Sequence, residues 1–351
     1  MEVIDLNNNR LPVYNPDTYY QNCKKARIKR ALRKTSNGLG LYIFSYSLVM
    51  IFSGTLLMTI MQIASGFDSD LLSSTSVPMM LLEIFISVFS AFITGILYFA
   101  ISGNSISDTI KVKYVQQKTL WAVVFIGMAV AMFANFAAVI VENNFSLFQL
   151  ENTVSLDKSP QSPLQNILYI VSTAIVPAFA EEFAFRGILM GTLRKYGDVF
   201  AIIASSVLFA AMHGNISQIP FAFILGLIFA YVDCLINSIV PSIIIHFLNN
   251  FYSVMIDILN SSALIDDTAF ALIYYTLITV FCLLGLLSFI YLSRRKISLF
   301  KLDNNYGAYA TEGMQLTLKE KNVEFFTSAG VILSLVLFII YTISSLGVIN
   351  V

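Results

Sequence analysis

The stretch Leu168–Met190 reads LYIVSTAIVPAFAEEFAFRGILM. It is uncharged from Leu168 to Phe179, and then Glu181, Glu182 and Arg186 arrive within six residues. A run this long and this apolar forms a helix in lipid, where every backbone N–H must find its partner inside the segment. A charged side chain at such a depth costs at least ~2.5–3.5 kcal/mol on insertion scales, so three together call for a function. Helical spacing separates their roles. Glu182 and Arg186 are four apart, share a face and can neutralise each other. Glu181 points about 100° further round, with no local partner. The bland alternative is a buried packing network of all three; polar residues downstream that could meet Glu181 weigh against it.

The rest of the chain is of the same kind. Of 351 residues 57% are hydrophobic and 12% charged, with mean hydropathy +0.76. Soluble domains carry about 25% charged residues. The fold class is therefore all-α: a polytopic transmembrane helical bundle of about eight or nine spans, in the cell membrane. The formal net charge of zero says nothing about partners. Cys23, Cys234 and Cys282 are scattered, which argues against a disulfide framework or a cysteine-rich metal site.

Residues 1–38 read as a polar, basic cytoplasmic tail rather than a signal peptide, loosely ordered up to about residue 22. Within the tail Lys24, Lys25, Arg27, Lys29, Arg30, Arg33 and Lys34 precede an apolar run. They read as an anchor for anionic lipid headgroups. A nucleic-acid reading of the same cluster is set aside because a span follows at once. The bundle fills 39–348, with spans expected at 39–63, 78–101, 120–141, 163–185, 199–213, 217–236, 239–258, 268–293 and 326–348. With the N-terminus in the cytoplasm, the inward loops collect the basic residues Lys111, Lys113, Lys118, Arg194, Lys195, Arg294, Arg295, Lys296, Lys301, Lys319 and Lys321. Outward loops hold Asp68, Asp70, Glu142, Glu151, Asp157, Asp266 and Asp267, with Lys158 the exception. This is the positive-inside pattern. The two long loops, 142–162 and 295–325, show no obvious chemistry. No internal repeat or inverted pair of broken helices is visible, which speaks against a secondary transporter.

Beyond Glu181 the chain has two histidines, His213 and His246. Each shares a helix face with a residue four away: Phe209 with His213, and Asn250 with His246. A single histidine on an apolar face is more often a satisfied core residue; two beside a charged cluster are harder to dismiss. Glu181 lies 16 residues before Gly197 and His213 lies 16 after it. At ~1.5 Å per residue both sit about 24 Å from that turn, hence at equal depth. His246 is 9 residues past Asn237, or roughly 14 Å by the same rise, which leaves a mismatch of about 10 Å. A carboxylate and an imidazole at one depth can deprotonate a water. An imidazole and a carboxamide can donate hydrogen bonds to a developing oxyanion. A metal is the second option, with Glu181, His213 and His246 as a zinc ligand set, although HExxH spacing is absent. The residues alone leave this choice open.

Glu181-Glu182-x-x-x-Arg186, Phe209-x-x-x-His213 and His246-x-x-x-Asn250, in this order and in successive helices, resemble the motifs of the CPBP intramembrane proteases. That family comprises the CAAX proteases and the bacteriocin-processing or self-immunity (Abi) proteins. The resemblance covers about 163–255 and implies a protease core of four consecutive helices. It implies that Glu181 and His213 act on the attacking water, that His246 and Asn250 form the oxyanion side, and that Glu182 and Arg186 support them. It also leaves open a metal-dependent or a glutamate mechanism. The expected function is an intramembrane endopeptidase acting on a membrane-associated peptide or protein, in bacteriocin or pheromone processing or in self-immunity. The rival readings are a non-catalytic peptide-binding immunity or scaffold protein, and a proton or ion pathway through the same polar residues.

Overall fold

The computed structural model describes residues 16–64, 66, 73, 76–147, 150–152, 162–261, 265–295, 302 and 316–348. All nine apolar segments are helical: α1 (Pro16–Ala64), α2 (Val77–Ser102), α4 (Gln117–Leu147), the rod from Pro163 to Tyr196, α8 (Asp198–Met212), α9 (Gln218–Ile236), α10 (Val240–Ser261), α11 (Asp267–Arg294) and α13 (Ala329–Ser344). Two shorter helices, α3 (Ile106–Thr109) and α12 (Leu318–Phe326), join them. Among the described residues seven helices are long and apolar enough to span a membrane, or eight if α12 and α13, bent by 69°, count as one. The expectation of nine full spans is narrowed at α8. Its 15 residues rise only about 22 Å, short of a ~30 Å hydrocarbon core. The chain is a multi-pass membrane protein.

The rod is not a uniform helix. It runs through α5 (Pro163–Ile170), a wide π-type turn at Val171–Ile175, α6 (Val176–Glu182), a second wide stretch at Phe183–Met190, α7 (Gly191–Leu193) and a tight turn at Arg194–Tyr196. Pro177 explains the first widening, since it has no N–H to give the carbonyl four residues back, that of Thr173. Wide turns of this kind recur at functional sites.

Helices outside the rod close around it. α1 crosses α13 at Gly40 and Gly330, where a Cβ on either would collide with the other helix's backbone. Ser334 Oγ donates to Gly40 O at 2.7 Å, and Gly330 N donates to Asn37 Oδ1 at 3.1 Å. Small residues permit this approach, and it takes the place of the hydrophobic drive that lipid cannot supply. From Pro16 onward the tail is helical and continuous with the first span; residues 1–15 lie outside the described residues. Among the described residues, Lys25, Lys29 and Arg33 of this tail form ion pairs within the molecule. Lys25 and Lys29 pair with Glu320 at 2.8 and 3.1 Å, and Arg33 pairs with Glu324 at 3.5 Å. A short antiparallel pairing of β1 (Leu150–Asn152) with β2 (Leu346–Val348) puts the ends of α4 and α13 on one side.

Candidate active site

The centre of the bundle is the fully buried pair Glu182–Arg186. Glu182 Oε1 accepts from Arg186 Nη1 at 3.1 Å, as the i,i+4 spacing requires, and also from His246 Nδ1 at 2.8 Å. The Arg186 guanidinium lies 4.1 Å above the Phe209 ring and 5.2 Å from that of Phe229. Its Nη2 reaches Gly226 O at 3.4 Å. One charged pair thus ties the rod to α8, α9 and α10, in a setting where aromatic faces replace water around the cation.

His246 is fixed on three sides. Its ring stacks on Phe229 at 5.3 Å and meets Phe209 edge-on at 6.0 Å. With Nδ1 committed to Glu182, Nε2 faces Glu181, whose Oε2 is 4.0 Å away. That is too long for a direct hydrogen bond. Glu181 keeps 18% side-chain exposure where Glu182 has none. Its Oε2 finds no hydrogen-bond partner among the described residues.

His213 follows the last turn of α8. Its Nδ1 is 2.8 Å from Phe209 O. A carbonyl only accepts, so Nδ1 carries hydrogen and the neutral ring presents its lone pair at Nε2. The ring sits edge-on to Phe209 at 4.9 Å, within electrostatic reach of Glu181 and His246. Phe209 therefore touches Arg186, His213 and His246 at once. The structure brings Glu181, Glu182, Arg186, Phe209, His213 and His246 together. Despite the expected depth mismatch of about 10 Å, His246 meets both carboxylates, and two local features accompany this. The turn before α10 is tied to the end of the rod, with Asn237 (φ 57°) accepting a 2.7 Å bond from Arg194 Nη1 through its Oδ1. The wide stretch Phe183–Met190 also has more residues per turn and so rises less per residue.

Asn250 is held by two hydrogen bonds. Its Nδ2 donates to Thr173 O at 3.1 Å, and its Oδ1 accepts from Asn249 Nδ2 at 3.2 Å. Thr173 is the residue whose carbonyl Pro177 cannot serve. One amide hydrogen is spent on the widened turn of the rod, and an amide has two.

Other positioning groups went unread in the sequence. Asp233 on α9 is buried, and its Oδ1 accepts from Ser242 N at 3.1 Å. It thereby caps an open N–H at the start of α10, four residues before His246. Its signal was available: an acid inside the apolar run of α9 follows the same rule that singled out Glu181. The turn after His213 is held from α13. Ser345 Oγ donates to Gly214 O at 2.7 Å, and any Cβ on Gly214 (φ 62°) would collide with the Tyr341 ring. From α1, Tyr46 packs edge-on against Phe185 at 6.5 Å, within electrostatic reach of Glu181. Nothing in the sequence marks Tyr46, Tyr341 or Ser345.

The two Nε2 lone pairs, each backed by an anchored Nδ1, are the kind of donor a metal takes. Yet among the described residues no three His, Cys, Asp or Glu side chains stand in metal-holding geometry. The set Glu181, His213 and His246 does not fit a metal in this arrangement, so no step below passes through one.

Residues 163–252 match the family model described as type II CAAX prenyl endopeptidase Rce1-like. A curated relative, the membrane-embedded CAAX protease MroQ of Staphylococcus aureus (strain USA300), is 31% identical over 104 residues. That alignment covers 28% of this chain and 42% of the relative, so the chain spans about two fifths of the length of the protein it matches. No solved structure matches.

Proposed function

We infer, from a segment of the CPBP intramembrane-protease family, that this chain hydrolyses a peptide bond of a membrane-associated protein or peptide within the bilayer. The carrying observation is the opposition of Glu181 to His246. One has an unpartnered carboxylate oxygen, and the other turns Nε2 towards it because Glu182 holds Nδ1. A 4.0 Å separation between polar atoms is a natural place for one bridging water.

In this reading Glu181 takes a proton from that water, with His213 Nε2 accepting its second hydrogen bond. The water oxygen bonds to the scissile carbonyl carbon, and the carbonyl π pair moves onto oxygen. His246 Nε2–H and the second Nδ2 hydrogen of Asn250 donate to the oxyanion. For Nε2 to donate while Nδ1–H is bound to Glu182, the ring must be an imidazolium, and the Glu182 carboxylate supports that charge as the acid of a catalytic triad does. Collapse breaks the C–N bond, and the proton held by Glu181 passes to the leaving amine. Glu182, Arg186 and Phe209 hold the geometry. The proposed core is 163–255, the tail 1–38 faces the cytoplasm, and the setting is bacteriocin or pheromone processing or self-immunity.

The test is purified, folded Glu181→Gln and His213→Ala incubated with membrane-derived peptides. Each is expected to lose cleavage; full activity in either removes the mechanism. A peptide-binding immunity role without catalysis predicts that Glu181→Gln still protects the host cell. A proton or ion pathway predicts flux in proteoliposomes.

A further inference from the structure

A cleft of about 510 Å³ lies between α1 and α2, where they meet the turn that ends the rod. Its volume is that of a small-molecule site, ~300–1,000 Å³. It is unlike the catalytic centre in both composition and place. Leu41, Leu97 and Ile101 form a wall that is exposed towards the bilayer, and Tyr42 is buried at the inner side. Lys34 and Lys195 join the lining.

These two lysines differ from three of the basic residues near them. Lys25, Lys29 and Arg33 on the same face of the molecule are neutralised by Glu320 and Glu324. Among the described residues neither Lys34 nor Lys195 has a carboxylate within ion-pair distance; Lys195 only lies 5.4 Å over the ring of Tyr196. Lys195 is also half-buried. Two unneutralised ammonium groups on a groove whose other wall is aliphatic and faces acyl chains complement one kind of molecule: an amphiphile with an anionic head. Lys34 sits where the basic tail enters the first span and Lys195 where the rod leaves it. Both therefore belong at headgroup level, with the aliphatic wall below them.

We propose that this cleft holds one anionic glycerophospholipid, its phosphate between Lys34 and Lys195 and an acyl chain along Leu41, Leu97 and Ile101. This goes further than a diffuse attraction of the basic tail to a negative surface, because it assigns a single bound lipid and includes a lysine outside the tail. Tyr42, on the inner wall, stands one helical turn from Tyr46, so the lipid packs against the helix that presents Tyr46 to Phe185.

The proposal is independent of peptidase activity and is tested by binding. Purified full-length chain is reconstituted with phosphatidylglycerol or phosphatidylcholine, and retained lipid is counted by native mass spectrometry. Phosphatidylglycerol should be retained selectively. A lysine near the surface contributes ~1 kcal/mol to attraction of an anionic lipid, so removing both charges in Lys34→Ala/Lys195→Ala should weaken retention roughly 30-fold. Lys118→Ala, an exposed basic residue elsewhere, should leave it unchanged. Equal retention of the two lipids, or wild-type retention by the double variant, overturns the proposal. Inorganic phosphate competing as well as the whole lipid would also overturn it, by reducing the site to one for a bare anion.

Discussion

Replacing Glu182 by glutamine keeps the side chain's shape and removes its charge. The structure says what that exposes. Arg186 is fully buried, and Glu182 is the carboxylate it pairs with; its other contacts are a 3.4 Å bond to Gly226 O and two aromatic faces. Glutamine can still accept through Oε1, so both hydrogen bonds survive as neutral-acceptor bonds, but the guanidinium is left buried without a counter-charge. Breaking a buried pair from one side costs ~3–5 kcal/mol. We expect Glu182→Gln near the lower end of that range, since the hydrogen bonds and ring contacts remain. The double variant Glu182→Gln/Arg186→Met removes both charges at similar volume and should recover stability to within about 1 kcal/mol of wild type, as such replacements do. Peptidase activity should not return with it. His246 Nδ1 would then face a neutral amide, and the imidazolium at the oxyanion would lose its support, a loss of about 10²–10³ in kcat for one such donor. The assay is equilibrium unfolding in detergent alongside cleavage of a fixed peptide. A single variant as stable as wild type would refute the claim that this pair ties four elements together. A double variant of wild-type activity would refute the role given to the Glu182–His246 bond.

Three further outcomes follow from other parts of the molecule. Gly214→Ala puts a methyl into the Tyr341 ring at a left-handed φ, which should displace His213 and lower kcat, whereas Ser345→Ala removes one hydrogen bond of ~1 kcal/mol and should lower it less; equal activity in Gly214→Ala and wild type would separate α13 from the site. Outside the spans, the ammonium of Lys25, with help from the Thr317 backbone N–H and Lys29, holds the Glu320 carboxyl down to about 2, below its unfolded value of about 4.3. A depressed acid contributes stability above its unfolded pKa, so α12 should stay docked on α1 at neutral pH and loosen as pH falls from about 4 towards 2, read as a distance between spin labels on the two helices; loosening on raising the pH instead would contradict the sign. Finally, a reaction driven by Glu181 and the imidazoles alone should keep its rate in the presence of a strong chelator, while loss restored by added zinc would assign Glu181, His213 and His246 to a metal.

The helices were legible because apolar runs of span length leave the backbone few alternatives. The Glu182–Arg186 pair and the Phe209–His213 contact were legible because they are local, four residues apart on one face. The equal depth of Glu181 and His213 was legible by residue counts from their shared turn at Gly197, whereas the same counting left His246 about 10 Å out. What the sequence concealed depends on how one helix is rotated against another. His246 turns its Nδ1 to Glu182, and Asn250, one turn on, reaches the rod's backbone at Thr173. That second contact falls on the carbonyl that Pro177 leaves without its N–H, and a proline announces a disrupted turn without saying which side chain will meet it. The internal ion pairs of the basic tail were hidden for a similar reason. Its partners Glu320 and Glu324 lie some 290 residues away in a connection that shows no chemistry of its own. Asp233 is a different kind of omission, since its position inside an apolar helix was visible throughout.

The polar groups of the site divide by how they are held, and the division bears on mechanism. His213 has Nδ1 bound to Phe209 O and Nε2 left over; His246 has Nδ1 bound to Glu182 and Nε2 left over; Asn250 has one amide hydrogen bound to Thr173 and one left over. Each is anchored through one atom and presents another, which fixes direction at no reorganisation cost when charge develops. Glu181 is the exception, because its Oε2 has no hydrogen-bond partner among the described residues and its side chain keeps some exposure. A donor to an oxyanion must hold still. A group that takes a proton on one side of a tetrahedral intermediate and delivers it on the other must be able to shift. In the proposed mechanism the least restrained member of the cluster is therefore the one suited to carry the proton, and the two carboxylates that stand adjacent in sequence differ in that Arg186 and His246 immobilise Glu182.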